Sequence, residues 1–454
     1  MPAAFSDDWS LLSQVPLGDP RRNRRLIYTI EGFAEKPSGC VTQVFDEARD
    51  IKGTYRLLER SSEWSDTLGE VLREGCLRRI AAETEILAIQ DTTHLRFESS
   101  PANGEDGFWL HSLVAATLSG VPLGILWQRF WQRDPETKGK KHLRREKLIG
   151  EKESQRWLDA AATVSGNDWP DDVGVTVVGD RESDIYELFA APRPDYCHLL
   201  VRAAHDRRVE DFDGTLFDVV GQMKRAGKRG VYISRRPDRA PRKTTVAASF
   251  AEVVIRRPKN GKFTTTASSV KLWVVAVNEV TPLPEQSPIS WVLLSTRPVT
   301  CIQEAWQQVD YYQKRWLIER FHYGLKSCCK VQDSQLRSAQ SLHGLMMLAT
   351  WVAWRLLAMT YLGRENPDLP ATTLFLEIEW QAAYMTRHKG KPLPSETPTI
   401  GEVIRWIGCM GGHMGRKRDG PPGVKVLTRG LIRLHDIVLG MSLMNPSILD
   451  LGNA

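Results

Sequence analysis

Two apolar runs in the first half of the chain each lead to an aspartate. Residues 86–89 precede Asp91 by two positions, and the β-branched run 173–178 ends just before Asp180. Runs of this length and composition are typical of buried β-strands. A lone aspartate after a strand is usually a turn residue or a helix cap. Two on separate strands favour a shared site, because sites in open α/β sheets lie beyond the carboxyl ends of the strands.

Further strand-like runs extend this α/β pattern. Residues 110–118 and 124–131 predict two more strands of the core. Between about 205 and 300 the runs become short and are separated by Gly, Pro and basic residues, which predicts an antiparallel β insertion. Those runs are residues 231–233, 244–250, 253–255 and 271–277. Residues 291–295 then predict a strand that returns to the core.

Helical patterns occupy both ends of the chain. Residues 1–65 predict short helices, one of them with Asp19 as N-cap and Pro20 at its first position. From residue 302 onward the pattern is mainly helical. The apolar run 342–362 predicts a buried core helix rather than a membrane span, because polar and charged residues interrupt it.

The predicted domains follow from these patterns. A helical N-terminal domain covers residues 1–65, and an α/β domain with the β insertion covers 66–366. A helical C-terminal domain covers 367–454, where the stretches 367–370 and 390–398 predict linkers.

Composition and charge narrow the class of protein without identifying a function. The 454 residues are 42% hydrophobic and 26% charged, which are ordinary values for a globular protein. A formal net charge of +6 permits a polyanionic partner without requiring one. The basic residues are clustered, which favours a phosphate backbone as the partner. The clusters are residues 20–25, 138–147, 235–243 and 416–418.

Cysteine usage and the N-terminal sequence bear on the compartment. The seven cysteines are scattered, and no pair has the spacing of zinc ligands or of a redox motif. The N-terminus lacks a charged region followed by an apolar one, so no secretory signal is visible. We therefore expect a reduced, cytoplasmic compartment and no membrane partner.

One helical stripe carries the most informative chemistry. At steps of three or four residues, Tyr312, Arg315, Glu319, His322 and Lys326 share one face of a predicted α-helix. Such a stripe can be a solvent-facing ladder of ion pairs. The apolar pattern, however, does not account for a tyrosine and a histidine on that face. Combined with the two strand-end aspartates, the stripe supplies a third carboxylate flanked by cations.

Three carboxylates are what a two-metal phosphodiester site needs. Mg²⁺ prefers oxygen ligands and keeps several waters, so a few carboxylates plus the scissile phosphate suffice. Two ions about 3.5–4 Å apart can activate the nucleophile and stabilise the leaving oxygen. Cations beside the carboxylates would hold the flanking phosphates and offset the developing negative charge.

The ordered set of motifs resembles the DDE cut-and-paste transposases of the bacterial insertion-sequence-four group, especially the transposon-five transposase. The Y-x2-R-x3-E-x6-K signature of that family is matched by Tyr312, Arg315, Glu319 and Lys326. The resemblance runs in order over almost the whole chain. The other matching segments are residues 17–22, 53–56, 88–93, 109–112, 179–184, 201–202 and 291–294.

The resemblance implies a metal site and its surroundings. Asp91, Asp180 and Glu319 would bind two Mg²⁺ ions, for which Mn²⁺ can substitute, on an RNase H-like mixed sheet. Tyr312, Arg315 and Lys326 would hold DNA phosphates beside the cut. The N-terminal helical domain would bind DNA, and the C-terminal helical domain would form a homodimer.

Further DNA contacts are implied by the same resemblance. Trp291 matches a tryptophan on which a flipped base stacks, although an ordinary core tryptophan is the alternative. Arg202 would add a phosphate contact, and His322 would hydrogen-bond near the metals. The transposon end would be recognised by the basic helix that carries Arg21, Arg22, Arg24 and Arg25.

The implied reaction is transposition by cutting and joining. Water first cuts one strand at the transposon end, and the freed 3′-hydroxyl attacks the opposite strand to give a hairpin. A second water opens the hairpin, and the blunt end is joined to target DNA. The protein would act in the bacterial cytoplasm, on the nucleoid when bound to DNA.

Two alternatives differ from this interpretation in chemistry. A catalytically silent DNA-binding regulator of transposition would keep the fold, but all three carboxylates and all three phosphate clamps are present. A two-metal structure-selective nuclease would need the carboxylates without the tryptophan or the basic N-terminal helix. The motif set therefore favours the transposase.

Overall fold

The computed structural model describes residues 11–12, 15, 17–103, 107–133, 146–210, 212–233, 240–284, 286–416 and 419–444. Three of the four basic clusters noted in the sequence lie wholly or partly outside the described residues. The missing parts are residues 138–145, 235–239 and 417–418.

The N-terminal segment is helical, as predicted. Its helices are α1 (Pro20–Glu35), α2 (Val41–Val44), α3 (Ala48–Glu59) and α4 (Ser65–Ile80). Helix α1 begins as the sequence indicates, because the Asp19 carboxylate accepts a hydrogen bond from the Arg21 amide at 2.8 Å and Pro20 opens the first turn. The apolar face of α1 buries Leu26 and Ile30 in the core.

A nine-stranded mixed sheet forms the centre of the protein. Its strands are β1 (Glu85–Leu95), β2 (Phe108–Thr117), β3 (Pro122–Trp131), β4 (Gly174–Gly179), β5 (Cys197–Arg202), β6 (Gly227–Ile233), β7 (Arg242–Arg256), β8 (Ser269–Glu279) and β9 (Ser290–Ser295). They lie in the order β3-β2-β1-β4-β5-β9-β8-β7-β6. Strands β1, β4 and β5 are parallel, and the other pairings are antiparallel. The predicted α/β class with a large mixed sheet is confirmed.

Strand β1 corrects one prediction about Asp91. The sequence predicted a strand that ends at this residue, but β1 continues to Leu95 because it pairs with β2 as far as Leu95 opposite Phe108. What ends near Asp91 is the parallel pairing with β4, whose last pair is Ile89 with Val178. Asp91 therefore lies inside β1, two residues beyond the last parallel pair with β4.

The β insertion is antiparallel, as predicted, but its strands are longer and fewer. The runs 244–250 and 253–255 belong to one strand, β7, which pairs with β8 over eleven residue pairs from Val246 to Arg256. Strand β9 then pairs with both β5 and β8. The insertion thus continues the central sheet, because β9 forms hydrogen bonds with β8 of the insertion on one side and with β5 on the other.

Helices cover both faces of the sheet. They are α5 (Gln155–Ala162), α6 (Tyr186–Ala190), α7 (Leu216–Gln222), α8 (Ile302–Gln313), α9 (Trp316–Tyr323), α10 (Ala339–Glu365), α11 (Glu377–Arg387), α12 (Ile400–Met410) and α13 (Val424–Met444). Alternate residues of β1 enter different cores: Leu87 and Ile89 pack towards α8–α10, whereas Ile86 and Ala88 pack towards α4 and α5.

Helix α10 confirms the predicted core helix. By length and composition it could cross a membrane, and it is the one such helix in the described part of the chain. However, 78% of its most apolar stretch is buried within the protein. It packs against α3, β3 and the C-terminal helices α12 and α13, so it joins the two helical ends to the sheet.

Candidate active site

The parallel pairing of β1 and β4 brings the two aspartates to one level of the sheet. The last parallel pair, Ile89 with Val178, lies two residues before Asp91 and two residues before Asp180. Neighbouring strands lie about 4.8 Å apart, so the two side chains start from adjacent backbone positions. The sequence prediction that these two strand ends meet is thus consistent with the register.

A tight turn presents Asp180. Its carboxylate accepts a hydrogen bond from the Glu182 amide at 2.8 Å, and the Ser183 hydroxyl donates to the Asp180 carbonyl at 2.7 Å. Gly179 permits this turn, because a Cβ there would lie 2.7 Å from the Cβ of Ser183. A glycine at position 179 is therefore required by packing.

Glu319 lies on α9, but the predicted continuous helix is wrong. A turn at residues 314–315 separates α8 from α9, and a π-helical segment (Gly324–Cys328) follows α9. In that segment the Cys329 amide donates to the Gly324 carbonyl at 2.8 Å, five residues back. The spacing that predicted one shared face therefore holds from Arg315 to Glu319 and changes before Lys326.

Arg315 connects two of the three carboxylates. Its Nη1 donates to Asp91 Oδ2 at 3.3 Å, and its Nη2 donates to Glu319 Oε1 one helical turn away. The side chains of Arg315 and Asp91 are both 18% exposed, whereas that of Glu319 is 33% exposed. Asp91 and Glu319 thus share one cation.

Negative charge accumulates around Asp91. Burial, followed by the charge of Asp180, raises the pKa of Asp91 to about 7, and Glu319 adds to the rise. Arg315 and the Thr92 amide oppose it without cancelling it. The other two predicted carboxylates, Asp180 and Glu319, therefore both act electrostatically on Asp91.

The predicted ligands Asp91, Asp180 and Glu319 offer carboxylate oxygens, which are the ligands that hard divalent cations prefer. Among the residues that the structure describes, no group of three or more His, Cys, Asp or Glu side chains lies close enough to hold one ion. Mg²⁺ usually takes only one or two protein carboxylates and completes its shell with water and substrate phosphates. Carboxylate oxygens that repel one another, as those of Asp91 and Asp180 do, suit such an ion.

An aromatic pair lies beside the carboxylates. The rings of Trp291 on β9 and Tyr312 on α8 meet edge to face with centroids 5.3 Å apart. Tyr312 is buried, and burial raises the pKa of its hydroxyl, although the cations of Arg315 and Arg202 oppose the shift. Trp291 is partly exposed and lines a cavity of about 390 Å³.

Arg202 and Lys326 stand at the edge of this site. The guanidinium of Arg202, at the end of β5, donates to the Ser290 carbonyl at 3.1 Å. Lys326 is half-buried in the π-helical segment, and burial lowers its pKa. Neither residue contacts the carboxylates directly through a hydrogen bond or ion pair within the described structure.

His322 lies inside the protein. It is 6% exposed, and its Nε2 has no hydrogen-bond partner among the described residues. Burial, with the cations of Lys326 and Arg315, lowers its pKa to about 3. The DNA contact expected for His322 stays a prediction, and its burial favours a supporting role behind Glu319.

The N-terminal arginines divide into paired and exposed side chains. Arg22 forms an ion pair with Glu63 at 2.7 Å, and Arg25 forms one with Asp50 at 2.9 Å. Arg21 and Arg24 are exposed and make no side-chain ion pair within the described residues. A cavity of about 190 Å³ between α1 and α3 is lined by five arginines: Arg21, Arg22, Arg25, Arg56 and Arg60.

Sequence reasoning missed a buried polar cluster behind the aspartates. Arg156 on α5 reaches Thr92 and Glu182, and Thr92 in turn contacts His111 on β2. The threonine and the glutamate stand beside the predicted metal ligands, but nothing in the pattern around Arg156 marks it. Only the fold brings α5 to this edge of the sheet.

Comparisons with known proteins match both helical ends of the chain. Residues 9–62 match the family described as transposase DNA-binding, and residues 351–445 match the transposase Tn5 dimerisation domain. A cryo-EM structure of the piggyBac transposase synaptic complex with hairpin DNA is also similar, with a TM-score of 0.37 and 11% identity, over 91% of this chain and 76% of that chain. A likeness that distant says nothing about the chemistry of this chain.

Proposed function

We propose that Asp91, Asp180 and Glu319 form the site at which this protein cuts transposon ends and joins them to target DNA. The two matching domains, for DNA binding and for dimerisation, indicate a Tn5-like transposase. The observation that carries the proposal is geometric: Arg315 hydrogen-bonds both Asp91 and Glu319, and the parallel pairing of β1 with β4 ends two residues before Asp91 and two before Asp180. Burial, followed by the charge of Asp180, also raises the pKa of Asp91 to about 7. Buried carboxylates that share a region of negative charge are costly unless cations balance them. Such an arrangement is favoured at sites that bind metals.

The sheet order supports an RNase H-like core for this site. Three parallel strands, β1, β4 and β5, are extended on one side by the antiparallel strands β2 and β3. The two aspartates belong to the neighbouring strands β1 and β4, and Glu319 comes from a helix that packs on β1.

Divalent metal chemistry fits the three carboxylates. When bound, Mg²⁺ or Mn²⁺ would polarise the scissile phosphate and lower the pKa of a bound water. Asp91, Asp180 and Glu319 would hold the ions. Arg315, which hydrogen-bonds two of these residues, would transfer its hydrogen bonds to a DNA phosphate, for which its planar donors are well suited.

The side chains around the carboxylates would orient the DNA. Tyr312 and Lys326 would hold phosphates beside the cut, and Arg202 would add a contact at the end of β5. Trp291 exposes part of its ring to a cavity. A base that leaves the DNA duplex could stack on this ring while the DNA strand bends into a hairpin.

The helical ends supply binding and pairing. Arg21, Arg22, Arg24 and Arg25 on α1 would contact the phosphates of the transposon end, since a cluster of arginines provides a large salt-dependent part of DNA affinity. The C-terminal helices would pair two copies of the chain, each bound to one end. The reaction would take place in the bacterial cytoplasm, on the nucleoid.

A cleavage assay tests the proposal. Purified protein is incubated with linear DNA that carries the end of its element, with and without Mg²⁺, beside Glu319→Ala. Mg²⁺-dependent nicking followed by a hairpin or a joined product, absent in the variant, is expected. Tight binding of the end without cleavage would indicate the regulator instead, and cleavage without hairpin or joining would indicate the nuclease.

A further inference from the structure

The backbone does not by itself fix the separation of Asp91 and Asp180. The last parallel pair of β1 and β4 is Ile89 with Val178. Beyond it β1 pairs only with β2, while β4 ends at Gly179 and turns away. Side chains must therefore hold the two aspartates at a constant distance.

Arg156 spans the gap left by the ladder. Its Nε donates to Thr92 Oγ1 at 2.9 Å, next to Asp91, and its Nη2 donates to Glu182 Oε2 at 3.1 Å, in the turn that presents Asp180. One planar guanidinium thus contacts both segments that carry the aspartates.

Arg156 is itself held rigidly. Its side chain is 9% exposed, and its Nη1 donates to the Glu153 carbonyl at 2.8 Å. The guanidinium lies 5.7 Å from the ring centroid of Trp131 and 5.5 Å from that of Trp157. Because these contacts hold the guanidinium in place, it can keep the segments of Thr92 and Glu182 at a fixed separation.

The contact with Thr92 is the first of a series of hydrogen bonds, called here the relay, that runs from Arg156 through Thr92 and His111 to Gln90. Because the Thr92 oxygen accepts from Arg156, its own proton is free for His111 Nδ1 at 2.7 Å. His111 Nε2–H then donates to Gln90 Oε1 at 3.2 Å. Burial, with the cation of Arg156, lowers the pKa of His111 well below its usual value, which agrees with this neutral tautomer.

The relay fixes the strand on both sides of Asp91. Gln90 and Thr92 are its two chain neighbours, and in a β-strand both point to the face opposite to Asp91. Gln90 and His111 are fully buried. Anchoring both neighbours leaves the Asp91 backbone little freedom to rotate or shift.

We propose that Arg156 is a positioning residue for the metal-binding pair: by linking Thr92 to Glu182 it sets the separation and orientation of Asp91 and Asp180. This inference rests on the proposed function of those aspartates. Residues that orient metal ligands from behind typically change metal affinity or activity by about 10–100-fold when replaced. Arg156→Gln should therefore raise the Mn²⁺ concentration needed for half-saturation by about tenfold or more.

The chain offers a matched control at the other end of the same strands. Arg297 donates to Glu85 on β1 and to Thr176 Oγ1 on β4 at 3.3 Å, so it links the same two strands far from the aspartates. Its side chain is 25% exposed. Arg297→Gln should lower stability through the loss of a partly buried ion pair, but leave Mn²⁺ affinity unchanged.

The experiment uses the full chain bound to a duplex that already ends at the transposon end, so that no cleavage intervenes. Mn²⁺ binding is followed by electron paramagnetic resonance, and the Asp91→Asn complex measures the Mn²⁺ held by the DNA itself. Weaker binding in Arg156→Gln and in Thr92→Val, with wild-type binding in Thr92→Ser and Arg297→Gln, is the expected result. Thr92→Ser keeps the hydroxyl that accepts from Arg156, whereas Thr92→Val removes it. Comparing the two variants separates the loss of this hydrogen bond from a simple loss of packing.

Three outcomes overturn the inference in different ways. If the wild-type complex binds no more Mn²⁺ than Asp91→Asn, the proposed metal site and the role of Arg156 both fail. If Asp91→Asn loses Mn²⁺ while Arg156→Gln binds it as the wild type does, the metal site stands and the positioning role alone is wrong. A loss in Arg297→Gln equal to that in Arg156→Gln would also overturn it, because general destabilisation would then be the cause.

Discussion

Arg315 donates a hydrogen bond to Asp91 across 224 positions of the chain, and its other terminal nitrogen donates to Glu319 on the helix α9 that follows it. Burial and the charge of Asp180 raise the pKa of Asp91, and the guanidinium of Arg315 opposes this rise. The same carboxylate oxygens are the ones that divalent metals would need. Under the proposed function, Arg315 would compete with metal ions for these oxygens until DNA offered it a phosphate.

Removing Arg315 should separate these two roles. In Arg315→Gln, Mn²⁺ should bind the DNA-free protein about tenfold more tightly, because a charge-assisted hydrogen bond contributes about 1.5–3 kcal/mol and no longer competes. Nicking of end DNA should fall, because the phosphate clamp is lost. Calorimetric titration and a single-turnover nicking assay measure the two effects. The control is Arg320→Gln, which changes an exposed arginine on α9, the helix that follows Arg315. Unchanged Mn²⁺ affinity in Arg315→Gln would rule out competition.

Trp291 should matter more for the hairpin than for the first cut. Trp291→Ala should slow hairpin formation about tenfold or more relative to nicking, since stacking of a base on an aromatic ring contributes about 1–3 kcal/mol. Trp291→Phe keeps a ring against Tyr312 and should be close to the wild type. The two steps are measured as separate products on one denaturing gel. Equal slowing of both steps in Trp291→Ala would contradict the stacking role.

The strands β1 and β4 could be predicted from the sequence because a buried strand leaves a clear local signal. The apolar runs before Asp91 and Asp180 mark these strands, and the two runs pair in parallel up to Ile89 and Val178. The N-terminus of α1 was equally readable, since Asp19 and Pro20 act within one turn. Predictions of this kind depend on neighbours in the chain.

Other features depend on contacts between distant residues and left no local signal. β1 runs past Asp91 because β2 continues to pair with it, and β7 is one long strand because β8 lies along it. The π-helical segment after α9 changes the face on which Lys326 lies. Arg156 has no distinctive neighbours, so only the packing of α5 reveals its contact with Thr92.

The exposed arginines of α1 should carry more DNA affinity than the paired ones. Arg24 makes no side-chain ion pair within the described residues, whereas Arg25 is held by Asp50 at 2.9 Å. Arg24→Gln should weaken end binding and reduce the slope of log affinity against log salt by about 1, as expected for the loss of one phosphate contact. Arg25→Gln should lower the slope less. Gel-shift titrations at several salt concentrations test this, and identical slopes for the wild type and Arg24→Gln would exclude the contact.

The last helix should pair two protein copies. Leu439 and Leu443, one turn apart on α13, are 57% and 76% exposed. Leu439→Glu should weaken the complex that holds two ends by about 2 kcal/mol or more, because a charge replaces an apolar contact at the interface. Binding of a single end should persist. Native gels and light scattering distinguish the two complexes, with Leu283→Glu in the β insertion as the control. Undiminished pairing in Leu439→Glu would place the interface elsewhere.

Glu279 should make the stability of the β insertion depend on acidic pH. Hydrogen bonds from Arg242, the Thr244 hydroxyl and the Ile289 amide outweigh burial and lower the pKa of Glu279 from 4.5 to about 2. Its side chain is fully buried. A carboxyl whose pKa is lower in the folded protein stabilises it above the unfolded value, and this contribution is lost as the pH falls from about 4.5 towards 2.

Glu279→Gln should therefore reduce the free energy of unfolding at pH 7 by about 2 kcal/mol, the contribution of hydrogen bonds to a buried charge. The difference from the wild type should shrink as the pH approaches 2, because the wild-type carboxyl is then protonated as well. Urea unfolding at a series of pH values measures it. Glu252→Gln breaks the exposed pair with Lys271 and should change stability by less than about 1 kcal/mol at every pH. A deficit in Glu279→Gln that stayed constant from pH 7 to pH 2 would mean that packing, and not the charge on Glu279, holds β7 to β8.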